Sequence, residues 1–209
     1  MAVTCALAAV LCGVTLPLFH ASYNIWVALA TLLSAWLVLG LLAGTWLPPH
    51  LETAFESLAA DLMTQINHAY ERTGGVHDIR LHGDLHPGNL LWRDGPFFVD
   101  LDDCRSGPAM QDLWMLLAGE HAERTAQLAR IIEGYAQFHD FDARELHLTE
   151  ALRTLRMLHH AAWIARRWED PAFPAAFPWF DDGRYWEDLV LALREQMAAL
   201  QEPPLELFT

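Results

Sequence analysis

Arg80-Leu81-His82-Gly83-Asp84-Leu85-His86-Pro87-Gly88-Asn89-Leu90-Leu91-Trp92-Arg93-Asp94-Gly95-Pro96-Phe97-Phe98-Val99-Asp100-Leu101-Asp102-Asp103 contains the densest polar cluster of the sequence, split by two short apolar runs. The runs flank Asp94-Gly95, a dipeptide that favours a two-residue hairpin turn with positive φ at both positions. Counting outward from that turn pairs Arg93 with Pro96, Trp92 with Phe97, Leu91 with Phe98, Leu90 with Val99 and Asn89 with Asp100. Directly opposed residues sit about 4.5–5.5 Å apart at Cα and project to one face. The count therefore predicts an amide oxygen and a carboxylate side by side at the open end of a ribbon. Both are hard oxygen donors suited to Mg²⁺.

Asp84 precedes Asn89 by the Asp-x-x-x-x-Asn spacing in which a carboxylate accepts a proton from an attacking hydroxyl while the amide and a later Asp hold metal on nucleotide phosphates. Gly83 and Gly88 permit tight backbone conformations between them, and Pro87 restricts the rest. His82 and His86 flank Asp84 and would also suit a transition-metal site.

On the N-terminal side, Leu51, Phe55, Leu58, Leu62, Ile66 and Tyr70 recur at spacings of three and four, which predicts an amphipathic helix from Pro48-Pro49 to Gly74-Gly75. On the C-terminal side the periodicity predicts helices over 109–117, 122–138, 144–168 and 185–200, the third with a capping-box-like start at Asp142. A helix, a small hairpin and a run of further helices make an α+β fold dominated by helix.

The chain has 209 residues, 53% of them hydrophobic, enough for one medium domain with a buried core. A formal net charge of −14 argues against a nucleic-acid partner, which needs clustered cations. All thirteen basic residues are arginine. Cys5, Cys12 and Cys104 show no metal spacing, which points to a reducing compartment. Residues 1–51 carry no formal charge, and 25–47 are long enough to cross a bilayer as a helix. Three readings of segment 1–47 stand side by side: one or two membrane-associated apolar helices, a buried piece of the fold, or sequence foreign to the domain. The domain proper is expected over 48–209.

The 80–103 stretch resembles the catalytic and metal-binding loops of the aminoglycoside phosphotransferase and choline kinase group. Gly107-Pro-Ala-Met-Gln-Asp-Leu-Trp-Met-Leu-Leu117, Arg166-Arg-Trp-Glu-Asp-Pro-Ala-Phe-Pro174 and Leu200-Gln-Glu-Pro-Pro-Leu205 are similar to its stress-response serine/threonine kinase branch. The resemblance covers about 46–209 and implies the C-terminal lobe of a protein kinase-like fold, working in the cytoplasm with ATP and Mg²⁺. It implies Asp84 as proton acceptor, Asn89 and Asp100 as Mg²⁺ ligands, with Asp100 also counted as catalytic, and His82, His86 and Asp112 as supports of the loop. The acceptor it implies is a protein Ser/Thr, with a small-molecule alcohol as the alternative. Members carry an N-terminal lobe with a nucleotide-covering loop and a phosphate-binding lysine. Here the apolar segment stands in that place and lysine is absent, so transfer by these 209 residues alone is expected to be weak. A phosphohydrolase using His82, Asp84, His86 and Asp100, and a catalytically silent module tethered to a membrane through 1–47, remain as alternatives.

Overall fold

A computed structural model describes residues 46–207. The membrane, buried and foreign readings of the N-terminal segment fall on 1–45 and so lie outside the described residues. Among the described residues no helix is long and apolar enough to cross a membrane. Trp46 and Leu47 are seated on the lobe: Leu47 is buried, and the Trp46 ring lies 5.2 Å from that of Phe180 and 5.3 Å from that of Trp168.

Helix α1, Pro49–Thr73, starts with proline in its first turn, where the missing N–H leaves no intrahelical bond unmade. It stops where Gly74 adopts φ 62, a left-handed cap, and donates its N–H to the Glu71 carbonyl at 3.0 Å. Of the predicted apolar stripe, Phe55, Leu62 and Ile66 are each at most 1% exposed, and Leu51, Leu58 and Tyr70 are partly buried against the same core. Side chains of this size contribute about 1.5–3 kcal/mol each when fully buried.

The strands form two separate antiparallel pairs. Strand β1 (Ile79–Leu81) pairs with β4 (Arg105–Gly107), and β2 (Leu90–Arg93) pairs with β3 (Gly95–Phe98). The inner pair is the expected hairpin. The outer pair was not predicted, because three-residue strands carry too little periodicity to read. It has the larger consequence: β1 runs into His82 and β4 follows Cys104, so Leu81↔Arg105 pairing closes the polar loop and the acidic loop together at one end.

The hairpin register differs from the count by one residue. Leu90 faces Phe98, Leu91 Phe97, Trp92 Pro96 and Arg93 Gly95, leaving Asp94 alone at the tip with φ 48. Gly95, at φ 155, pairs with Arg93 as a strand residue rather than forming the second position of a two-residue turn. Pro96 supplies the reason, since the ring of a proline crowds the preceding residue out of helical conformations and toward extended ones.

Beyond Pro108 the chain is helical: α2 (Met110–Leu113), α3 (His121–Tyr135), α4 (Thr149–Arg166), α5 (Ala172–Ala176) and α6 (Gly183–Ala199). The helix expected over 109–117 is a single turn of α-helix continued by 3-10 turns at Trp114–Leu116. The one expected from Arg144 begins as a 3-10 segment, Ala143–Leu148, with the Asp142 carboxylate accepting from the Arg144 N–H. The reciprocal capping box of the chain is instead at α3, between Glu120 and Glu123. Helices α1, α4 and α6 enclose one core with Trp186 and Phe180 at its centre. A second, formed by Met110, Leu113, Leu128, Leu148 and Leu205, underlies α2.

Candidate active site

The polar loop is held from below by a single carboxylate. Asp112 on α2 accepts the backbone N–H of His82 at 2.7 Å on one oxygen and that of Gly83 at 2.8 Å on the other. Helix α2 is itself held by Glu145, which is 3% exposed and accepts the Met110 N–H at 2.8 Å. His82 ties the loop sideways: its Nε2 lies 2.9 Å from the Val99 carbonyl and its Nδ1 3.4 Å from the Asp84 N–H. These partners fit one neutral tautomer, with Nε2–H donating and Nδ1 accepting. His86 receives the Gly88 N–H on Nδ1 at 3.0 Å and turns Nε2 toward Asp84 at 3.8 Å. In this geometry each histidine accepts a backbone N–H of the loop on its Nδ1. Among the described residues no group of three His, Cys, Asp or Glu side chains converges as a metal-binding cluster.

Asp84 is half-buried at the centre. The Asn89 amide N–H donates to the Asp84 carbonyl at 3.0 Å, which commits the amide nitrogen inward and leaves its oxygen as a donor for a cation. Asn89 is 7% exposed. Its backbone carbonyl accepts the Val99 N–H at 3.1 Å, so Val99, not Asp100, stands opposite Asn89. Asp100 follows one residue later and takes φ 63, a left-handed conformation unusual for a residue with a Cβ and one that redirects the chain at that point. An amide oxygen and carboxylates as donors, without thiolate, match the hard-oxygen preference of Mg²⁺.

The acidic loop touches the polar loop at Gly83. A Cβ at this position would lie 2.1 Å from the Asp103 carbonyl oxygen, and φ is +88. Arg105 fixes the same carbonyl with its Nε at 3.0 Å and lies 3.4 Å from the Asp103 carboxylate. Gly83→Ala is therefore expected to cost at least about 2 kcal/mol of folding stability, from backbone strain and the clash together. Urea unfolding measures it; a change below a few tenths would show that the two loops are not in this contact.

Burial raises the Glu145 carboxyl from the ordinary value of 4.5 to about 7, against the opposing effect of its bonds to the Met110 and Ala109 amides. Because the folded pKa lies above the unfolded one, the fold is penalised for holding the ion. That penalty is absent below about pH 4.5, grows as pH rises toward 7, and is complete above it. After allowance for polar neighbours it is on the order of 2 kcal/mol. Glu145→Gln, which keeps an acceptor for Met110, should be more stable than the parent at pH 8, with the gap closing toward pH 5. Thermal melts across that range check it, and a pH-independent gap would refute it.

One contact of the site was not foreseen. Arg156 on α4 brings Nη1 to 2.7 Å from Asp84 Oδ1. His159, one turn further, is kept neutral to lower pH by burial and by the Arg156 and Arg105 charges. His160 stacks beside Trp163. Nothing in the helical periodicity separates Arg156 from the other arginines of α4; only the seating of α4 against the loop does.

The phosphotransferase enzyme family matches residues 26–147, more than half the chain. Stress response kinase A of Escherichia coli (strain K12) is 49% identical over 163 residues, which is 78% of this chain and 49% of that protein. Serine/threonine protein kinase RdoA of Salmonella typhimurium is 55% identical over 129 residues, 62% of this chain and 39% of that protein. The chain spans about half the length of the curated relatives it matches.

Proposed function

This chain belongs to the phosphotransferase enzyme family, and from that premise we propose that it is the catalytic half of an ATP- and Mg²⁺-dependent kinase whose acceptor is a protein serine or threonine. The observation that carries the reading is the pair of hydrogen bonds that the His82 and Gly83 amides donate to the two oxygens of Asp112, which fixes the loop that presents Asp84. Positioning of this kind is most of what phosphoryl transfer needs from a protein.

Asp84 orients the acceptor hydroxyl and takes its proton. Asn89 and Asp100 hold the cation, while His82, His86 and Asp112 keep both loops in place. Mg²⁺, bound with ATP, supplies charge neutralisation at the phosphates. The name of the Salmonella typhimurium relative, a serine/threonine protein kinase, favours a protein acceptor over a small-molecule alcohol. The donor is cytoplasmic ATP.

The test is transfer of radiolabelled phosphate from ATP to a generic protein substrate. It compares the 209-residue chain with a chimera carrying the N-terminal half of the E. coli relative ahead of Trp46. Mg²⁺-dependent transfer by the chimera, and weak transfer by the chain alone, is the expected result. A chimera that folds and binds ATP but transfers nothing would sink the proposal.

A further inference from the structure

We propose that Arg156 is a further catalytic residue of this site: a cation that rests on Asp84 when the site is empty and binds the transferred phosphoryl group when nucleotide is present. The inference rests on the kinase reading and adds to it the side chain that meets the phosphate.

Lysine is absent from the 209 residues, so any cationic side chain this chain contributes at the phosphates is an arginine or a charged histidine. Arg105 and Arg156 make ion pairs with carboxylates of the two loops. Arg105 is committed to Asp103, through the carbonyl and the carboxylate. Arg156 is not: its Nη1 is 2.7 Å from Asp84 Oδ1, yet that oxygen has no aligned hydrogen bond among the described residues. The contact is one of charge rather than a bidentate fork, and the Arg156 side chain, 40% exposed, keeps guanidinium donors for another acceptor. A planar guanidinium matches two phosphoryl oxygens better than one oxygen of a misaligned carboxylate.

In the transfer step the acceptor oxygen bonds to the γ-phosphorus as the bond from that phosphorus to the β–γ bridging oxygen breaks. The electron pair leaves with ADP, and the hydroxyl proton goes to Asp84. Arg156, having moved to the phosphoryl oxygens, leaves the Asp84 carboxylate open to receive that proton and offsets charge on the group in flight.

A double-mutant cycle on the 209-residue chain tests this through binding alone, without turnover. Dissociation constants for Mg–ATP are measured by calorimetry for the parent, Arg156→Gln, Asp84→Asn and the double variant, with thermal melts confirming the fold. Arg156→Gln should weaken binding about tenfold, and more in the Asp84→Asn background, where Arg156 has no carboxylate to rest on. Arg156→Lys should fall between parent and Gln. Arg105→Gln, which removes the same charge from the neighbouring position, should change binding less than about twofold. An Arg156→Gln cost below twofold, or one of equal size in both backgrounds, would overturn the assignment. Absence of Mg–ATP binding in the parent chain and in the parent chimera alike would overturn the kinase reading itself, a different outcome from loss of the Arg156 dependence.

Discussion

Asp84→Ala, placed in the transfer-competent chimera, is expected to lower kcat/KM by about a thousandfold or more while leaving the fold intact. A positioned general base contributes about 10²–10⁴-fold, and the same carboxylate also orients the hydroxyl in line. Stability should change little, because the group that loses its partner is Arg156, whose side chain is 40% exposed and reaches water without help. His86, 43% exposed, is equally free to be solvated. Steady-state transfer from labelled ATP, read beside a urea titration, decides it. An active Asp84→Ala chimera refutes the role, and an unfolded one refutes the claim that Asp84 serves chemistry more than structure.

Asp112→Ala should be the most damaging single change to the scaffold of the site. It removes an ion that accepts two backbone donors at 2.7 and 2.8 Å and leaves the His82 and Gly83 amides unpaired beneath the loop. Bonds to a charged acceptor contribute about 1.5–3 kcal/mol each, so a loss on the order of 3–5 kcal/mol is expected, a large share of a total stability of about 5–15 kcal/mol. Asp112→Asn keeps one acceptor oxygen and should lose roughly half as much. Hydrogen exchange supplies the specific signature: the His82 and Gly83 amides should lose protection far more than amides of α1 do. Unchanged protection at those two positions would show that something other than Asp112 holds the loop.

How much of this was legible before the fold was seen depends on the distance over which each feature is decided. Helix α1 was legible because its stripe repeats every three to four residues and its stop, Gly74, is a local conformational fact. The hairpin was legible as a hairpin, but its register was not: Asp94-Gly95 alone favours a two-residue turn, and Pro96 pushes Gly95 into the strand instead. The single slip moved Asp100 past the position opposite Asn89. The capping box at Glu120 escaped because glutamate there takes the role usually filled by a shorter oxygen-bearing side chain.

By itself, then, the sequence determined the loop chemistry: the residue types from His82 to Asn89, the glycines that let that loop turn tightly, the carboxylates that follow Val99, and the family to which the chain belongs. Side chains within one short segment are neighbours through covalent geometry, so spacing suffices to read them. Only the tertiary structure decided what stands on Asp84 and what holds the helix beneath its loop. Arg156 arrives from α4, and Glu145 reaches Met110 across 35 residues of chain. Those meetings depend on how α4 and the 3-10 segment before it pack over the second core. That packing is fixed by burial summed over many apolar side chains, which has no direction of its own and so leaves no local mark on the polar residues it brings together.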